Sequence, residues 1–443
     1  MTRGNPCSHR VSRSSAGAAA REIPILNFDL TDRFGFHSPA ETKRVSGLPR
    51  SLTPLPYHLE LRDYLKSQER DLWRWFASAR ARADYTASLR LDLLKSAYRL
   101  AADSHAELHA AIAEVQNKLG LDVPVTAYQA QDSPALNATL FYIPGEAHLV
   151  FSGPILSLLH GEELKSVVGH ELAHYHLWSA EDGEFHIADQ LLQAVAQDPR
   201  AGASHEQSAR WFQLYTEIFA DQGSLAVTEA VEPVIAGLVK IQTGLANVSA
   251  ASYLQQAEEI FRQTNAPTEG VTHPETFIRA RALDLWAKED PAAHAEIRRM
   301  IEGVASVDEL DVLGQRRLTQ ATRRLIGQLL RPNWFRTEAV LGHAKSYFPD
   351  FSAEDAADET LADPAFSEAG LQRYFAFVLL DFAAVDPQLE RLPLMAALEL
   401  SRRLGWEETF DKLAAKELRL KAREVKKLRE SAAEQLAQAE AAA

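Results

Sequence analysis

Apolar residues recur at helical spacing along most of this chain and alternate at strand spacing only in one short central stretch. Leu59, Leu61, Tyr64 and Leu65, then Leu72, Trp73, Trp75 and Phe76, fall on one apolar stripe. Further helices are expected over residues 85–101 and 104–119, the second with Asp103 or Ser104 as its N-cap. Strand character is confined to residues 123–128, 139–143 and 148–151. Pro144, Gly145 and Glu146 between the last two predict a hairpin. Helical periodicity resumes over 154–159, 164–177, 185–196, about 206–229, 234–245 and 251–263. Thr272, His273 and Pro274 interrupt it before a helix over 276–288. Beyond Asp290-Pro291 the pattern stays helical, with breaks at Asp386-Pro387 and Gly405. The fold class expected is therefore mainly α with a small β-sheet (α+β).

Composition narrows this only slightly. The chain has 443 residues, 46% of them apolar and 24% charged, as in ordinary globular proteins. A net charge of −14 argues against a general nucleic-acid binder, which normally carries a basic face. No apolar run approaches the ~20 residues that span a membrane, so no membrane span is expected. Residues 1–50 are rich in Ser, Arg, Gly and Pro and read as a weakly ordered tail. A short ordered piece is expected at 25–28, after Pro24. That tail has no apolar segment of the secretory kind, so a cytoplasmic location is expected. Cys7, the single cysteine, excludes an intramolecular disulfide and reads as a thiol in the tail. At the other end, residues 416–443 form a charged, Ala-rich helix. Its Lys416, Arg419, Lys421 and Arg423 alternate with Glu417 and Glu424, which suits a solvated or partner-binding face.

Chemistry concentrates in LKSVVGHELAHYHL, residues 164–177. His170 and His174 are four apart and so lie one turn apart on the same side of a helix. Two neutral imidazoles can hold a zinc ion and leave room for a third protein ligand and a water. Glu171 then stands where a carboxylate can take the proton of that water, as in zinc hydrolases. Leu164, Val167, Val168 and Leu172 give the helix an apolar inner face, and Gly169 and Ala173 leave space beside the histidines. His176 is two residues from His174 and points elsewhere. Glu217, within TEIFADQGSL, can complete a two-His-one-Glu site. Asp221, one turn on, can accept the other N–H of a ligand histidine and fix its tautomer. His273 reads as a residue at a helix start, with a structural and a functional role equally open.

The stretch NATLFYIPGEAHLVFSGPILSLLHGEELKSVVGHELAH resembles the core of the CAAX prenyl protease and HtpX-like family of gluzincin zinc peptidases. Glu217-Ile218-Phe219-Ala220-Asp221 matches that family's later E-x-x-A-D motif, and Thr272-His273-Pro274 with Arg279 matches a third element. The resemblance covers about residues 137–283. It implies one zinc per chain held by His170, His174 and Glu217, with Glu171 as general base and Asp221 orienting a ligand. It also implies that His273 and Arg279 steady the oxyanion or the site around it. The substrate would be a protein or peptide lying along a limb of the hairpin, with the strand nearer the motif helix favoured. Gln222 and Glu275 depart from the family, which commonly has arginine and proline there, and its best-known members are membrane proteins.

The expected layout is a tail over 1–50 and a zincin-like metallopeptidase domain over 51–290. A helical domain over 291–415 and the charged helix over 416–443 follow, and this C-terminal region is a candidate surface for a protein partner. The function expected is a zinc-dependent endopeptidase. The alternative is a helical adaptor whose metal site is non-catalytic or autoinhibited.

Overall fold

The computed structural model describes residues 52–131, 133–264, 267–352 and 363–442. The expected tail, with Cys7 and the segment at 25–28, lies outside them. The chain is mainly α with one small mixed sheet, as the apolar periodicity predicts.

The chain begins with α1 (Pro56–Gln68), α2 (Arg70–Phe76) and α3 (Ala79–Ser96). The backbone breaks at Glu69 (φ −104°, ψ 46°), so the apolar stripe read across this region does not stay on one face. Leu72 and Trp75 are left 42% and 48% exposed. The helix expected to run to residue 101 ends early. Residues Ala97–Arg99 form strand β1 instead, where ladder hydrogen bonds to a neighbour and burial of Ala97 outweigh local helical preference. Helix α4 (Ala106–Leu119) then closes on Gly120 in the left-handed region, φ +66°.

Strands β2 (Val125–Ala130), β3 (Asn137–Ile143) and β4 (Glu146–Ser152) complete the sheet in the order β1-β2-β4-β3. β3 and β4 are the expected hairpin. Ile143 pairs with Glu146 across a two-residue turn, in which Gly145 takes φ +85°. β2 runs parallel to β4, which places β4 inside the sheet and leaves β3 at its edge. Successive side chains go to opposite faces. Leu140, Tyr142, Leu149 and Phe151 pack with α4 on one face, and Tyr128 and Val150 pack with Leu89 and Leu93 of α3 on the other.

Next come α5 (Ile155–Leu158) and α6 (Gly161–Ser179), the latter with Glu162 and Glu163 in its first turn, where the helix dipole favours acids. They are followed by α7 (Glu184–Ala196), α8 (Ala203–Thr228), α9 (Val231–Thr243), α10 (Ala250–Gln263) and α11 (Thr276–Ala287). Leu177 of α6, Phe185 of α7, Phe212 and Phe219 of α8 and Leu61 of α1 share one core. Helix α12 (Ala293–Glu302) and the start of α13 (Val312–Leu329) also enter it. Tyr57 donates to Asp311 (2.8 Å), whose carboxylate caps α13 through the Gly314 N–H (2.7 Å). The rest of α13 lies in a second core, shared with α14 (Glu338–Tyr347), α15 (Pro364–Ser367), α16 (Ala369–Asp381), α17 (Leu392–Arg403), α18 (Glu407–Glu417) and α19 (Ala422–Ala442). Among the described residues, no helix is long and apolar enough to cross a membrane.

Candidate metal centre

Two helices build the site by crossing closely. A Cβ placed on Gly223 of α8 would lie 2.3 Å from the Ala173 Cβ of α6, a separation that real atoms do not tolerate. Glycine at this position lets the two backbones approach, so that His170 and His174 on α6 face Glu217 and Asp221 on α8.

Three side chains converge. His170 Nε2 lies 3.3 Å from His174 Nε2 and 3.3 Å from Glu217 Oε2, and His174 Nε2 lies 3.5 Å from Glu217 Oε1. Ligand atoms about 2.0–2.1 Å from one zinc at tetrahedral angles stand about 3.3–3.4 Å apart, so the spacing fits such an ion. The chemistry of the donors fits as well. Glu217 Oε2 is buried without an aligned hydrogen-bond donor, an arrangement that costs free energy unless a cation answers it. Among the described residues, these three form the one group with metal-ligand geometry. His176, by contrast, donates to the Leu52 carbonyl (3.1 Å) and takes no part.

Each imidazole is oriented differently. His170 Nδ1 donates to Asp221 Oδ1 (3.1 Å), which turns Nε2 toward the cluster. Asp221 is fully enclosed and is gripped by Arg279, Nε to Oδ2 at 2.7 Å and Nη2 to Oδ1 at 2.6 Å. Burial alone would raise the Asp221 carboxyl, but the charge of Arg279 holds it below the usual range. Arg279 Nη1 also comes within 3.7 Å of Glu217 Oε2. His174 instead stacks on Trp178, one turn further along α6, with ring centroids 5.4 Å apart. Burial pushes His174 down to about 4, so it is a neutral ring with a free lone pair at neutral pH.

Glu171 is buried beside the cluster. Burial raises its carboxyl to about 7, opposed by His170 and by the Leu140 N–H of β3 that it accepts. The Leu140 N–H therefore points away from β4 and into the cleft. Of the two limbs of the hairpin, β3 is the one with a free edge beside α6.

His273 stands apart from these buried groups. Its side chain is 60% exposed, with Nε2 3.5 Å from Glu217 Oε1 and Nδ1 2.9 Å from Thr272 Oγ1. The segment that carries it, residues 267–275, is tied from two sides. Glu275 accepts from Thr268 Oγ1 (2.6 Å) and the Glu269 N–H (2.9 Å), and Arg210 of α8 donates to the Gly270 (2.9 Å) and Thr268 (2.6 Å) carbonyls. Where the resemblance leads one to expect proline, Glu275 thus supplies an anchor.

A cleft of about 670 Å³ runs along α6 over the cluster. At the start of α6 it is walled by Val167 and by Val234, Leu238 and Ile241 of α9, a helix fixed to α6 by the Lys240–Glu163 ion pair (2.8 Å). Trp178, Asp189 and Gln213 wall the other end. Trp178, Asp189 and Arg210 were not singled out in the sequence. Trp178 carries a signal there, since it continues the four-residue spacing of His170 and His174. Arg210 and Asp189 carry none.

A search of curated proteins and a search of solved structures each returned no match. Residues 102–287 match peptidase family M48, whose members are typically metal-dependent peptidases. That stretch contains the whole His170–His174–Glu217 cluster and ends before α12, so over the part that carries this donor cluster the chain is similar to a family of metallopeptidases.

Proposed function

We propose that the protein is a zinc-dependent endopeptidase of the CAAX prenyl protease and HtpX-like type. The observation that carries this reading is the convergence of donor atoms from three side chains, at 3.3, 3.3 and 3.5 Å between residues, on the floor of a cleft. His170, His174 and Glu217 would hold one zinc ion. When bound, zinc supplies the Lewis acidity that activates water near neutral pH and polarises a carbonyl.

The remaining work falls to the chain's own groups. An extended peptide adds to the free edge of β3, with main-chain hydrogen bonds fixing its register. Glu171 takes a proton from the attacking water and delivers it to the departing amine. The Leu140 N–H holds that carboxylate in place until substrate arrives. His273, at the rim, is the side-chain donor available to the oxygen on which negative charge develops. Arg279 acts through Asp221, orienting His170 and balancing the buried carboxylates. The helices of the second core contribute nothing to the cluster and are read as a partner-binding region.

The deciding experiment is metal analysis of wild-type protein and Glu171→Gln, paired with a protein-cleavage assay. The expected result is about one zinc per chain in both, with cleavage lost in Glu171→Gln by ~10²-fold or more. Zinc-loaded protein whose cleavage is unaltered by Glu171→Gln would overturn the assignment.

A further inference from the structure

The two ends of the cleft differ in chemistry, and the difference lies in Asp189. Helix α7 buries Phe185, Ala188, Leu191 and Leu192 in the first core, which leaves Asp189 on the face that walls the cleft. It hydrogen-bonds to Gln193 on its own helix, and among the described residues no lysine or arginine pairs with it. His186, one turn back, supplies no counter-charge, since burial pushes it down to about 4. The cation nearest the cluster, Arg279, is already committed to Asp221. Trp178 walls the same end of the cleft, with its indole ring 5.8 Å from that of His186. A half-buried carboxylate and an indole on the same cleft wall make a setting in which a cation is favoured, by ion pairing and by the ring's negative face.

Strand direction says which side of the cut bond lies there. The start of β3 adjoins the end of α9, where Leu136 Cδ1 comes within 4.0 Å of the Cβ position of Gly244. Near the other end of β3, the Tyr142 ring lies 6.1 Å from Trp178 and 4.5 Å from His186. A peptide paired antiparallel to β3, the more stable ladder per residue, therefore has its N-terminal part at the Trp178 end.

Resting on the peptidase reading above, we propose that the pocket formed by Trp178 and Asp189 selects a lysine or arginine side chain on the N-terminal side of the bond that is cut. Apolar side chains on the C-terminal side then meet Val167, Leu238 and Ile241.

The test has a cleavage arm and a binding arm. Zinc-loaded protein is incubated with a peptide library, and the cut sites are read by mass spectrometry. Lys and Arg are expected to be enriched within the few positions preceding the cut. The enrichment is lost in Asp189→Asn, which is isosteric, and replaced by Asp and Glu in Asp189→Lys. In the binding arm, Glu171→Gln protein with or without Asp189→Asn is titrated with paired peptides carrying Lys or Gln. A preference for Lys of about tenfold should fall to about one when Asp189 is changed. Enrichment that survives Asp189→Asn, basic residues found only after the cut, or equal binding of the paired peptides would each overturn the proposal. Absence of any Glu171-dependent cleavage would instead sink the peptidase reading, and the paired-peptide titration would still decide the pocket.

Discussion

Arg279 holds Asp221 through two near-parallel hydrogen bonds of 2.7 and 2.6 Å, and Asp221 in turn receives the Nδ1–H of His170. A planar guanidinium meets a carboxylate at two points, which fixes direction as well as charge. Residues from α6, α8 and α11 are thereby locked together behind one metal-ligand candidate. Asp221→Asn should lower zinc affinity about 10–100-fold. Asp221→Ala should in addition destabilise the metal-free protein by about 3–5 kcal/mol, because buried Arg279 loses its two-point partner and keeps only the longer contact to Glu217. Zinc titration and urea unfolding separate the two effects. Equal affinity in wild type and Asp221→Asn would remove the orienting role.

Glu217 is expected to matter more. Glu217→Gln keeps the shape but removes the charge answering a divalent ion, so its loss of zinc affinity should exceed the ~10–100-fold typical of outer partners. Retention of zinc by Glu217→Ala after dialysis against a weak chelator would count against it as the third ligand.

Gly223→Ala tests the helix crossing. The added methyl cannot sit 2.3 Å from Ala173 Cβ, so α6 and α8 must separate, at a cost of about 1–3 kcal/mol. Zinc affinity should fall with stability, because the donors ride on both helices. Adding Ala173→Gly should restore both, and failure of that rescue would place the effect elsewhere.

The segment carrying His273 offers a contrast. Arg210→Met frees the Thr268 and Gly270 carbonyls, so hydrogen exchange over residues 267–275 should quicken. The turnover number should drop about tenfold or more while zinc content holds, since a side-chain donor to a developing oxyanion is worth ~10²–10³. A lost zinc ion in this variant would argue against a role confined to the loop.

His58, which is not among the candidate ligands, gives a pH dependence of stability. It is enclosed by Phe185, Phe212, Tyr215 and Phe219, and burial lowers it from 6.5 to about 3. The unfolded chain therefore takes up a proton below pH 6.5 that the folded chain refuses. Stability tied to this residue is fully present above pH 6.5 and is lost as pH falls toward 3. His58→Gln should flatten the slope of unfolding free energy in that window by up to about 1.4 kcal/mol per pH unit. Parallel wild-type and variant curves would refute it.

The cluster residues could be singled out in the sequence because a metal demands donors at fixed spacing on a helix. His170 and His174 announce that geometry within five residues, and Glu217 and Asp221 repeat it. The hairpin was equally plain from Pro144 and Gly145. What could not be read there depends on partners distant in sequence. Nothing in Ala97-Tyr98-Arg99 says that β2 waits to pair with it, so the helical pattern was carried through. Nor does a lone Arg210 or Asp189 on an amphipathic helix reveal that one clamps a loop 60 residues away and the other walls a cleft.

Helix α8 is one unbroken rod of 26 residues, roughly 39 Å at 1.5 Å per residue. Near one end, Ser208 Oγ accepts from the Val312 N–H, where α13 sets out for the second core. Further along stand Arg210, Glu217, Asp221 and Gly223. A single stiff element thus carries the loop clamp, a donor atom, its neighbour's orienting carboxylate and the crossing point. Because the rod is stiff, these four positions share one frame, and any displacement of α8 relative to α6 would move Glu217 and Asp221 together with respect to His170 and His174.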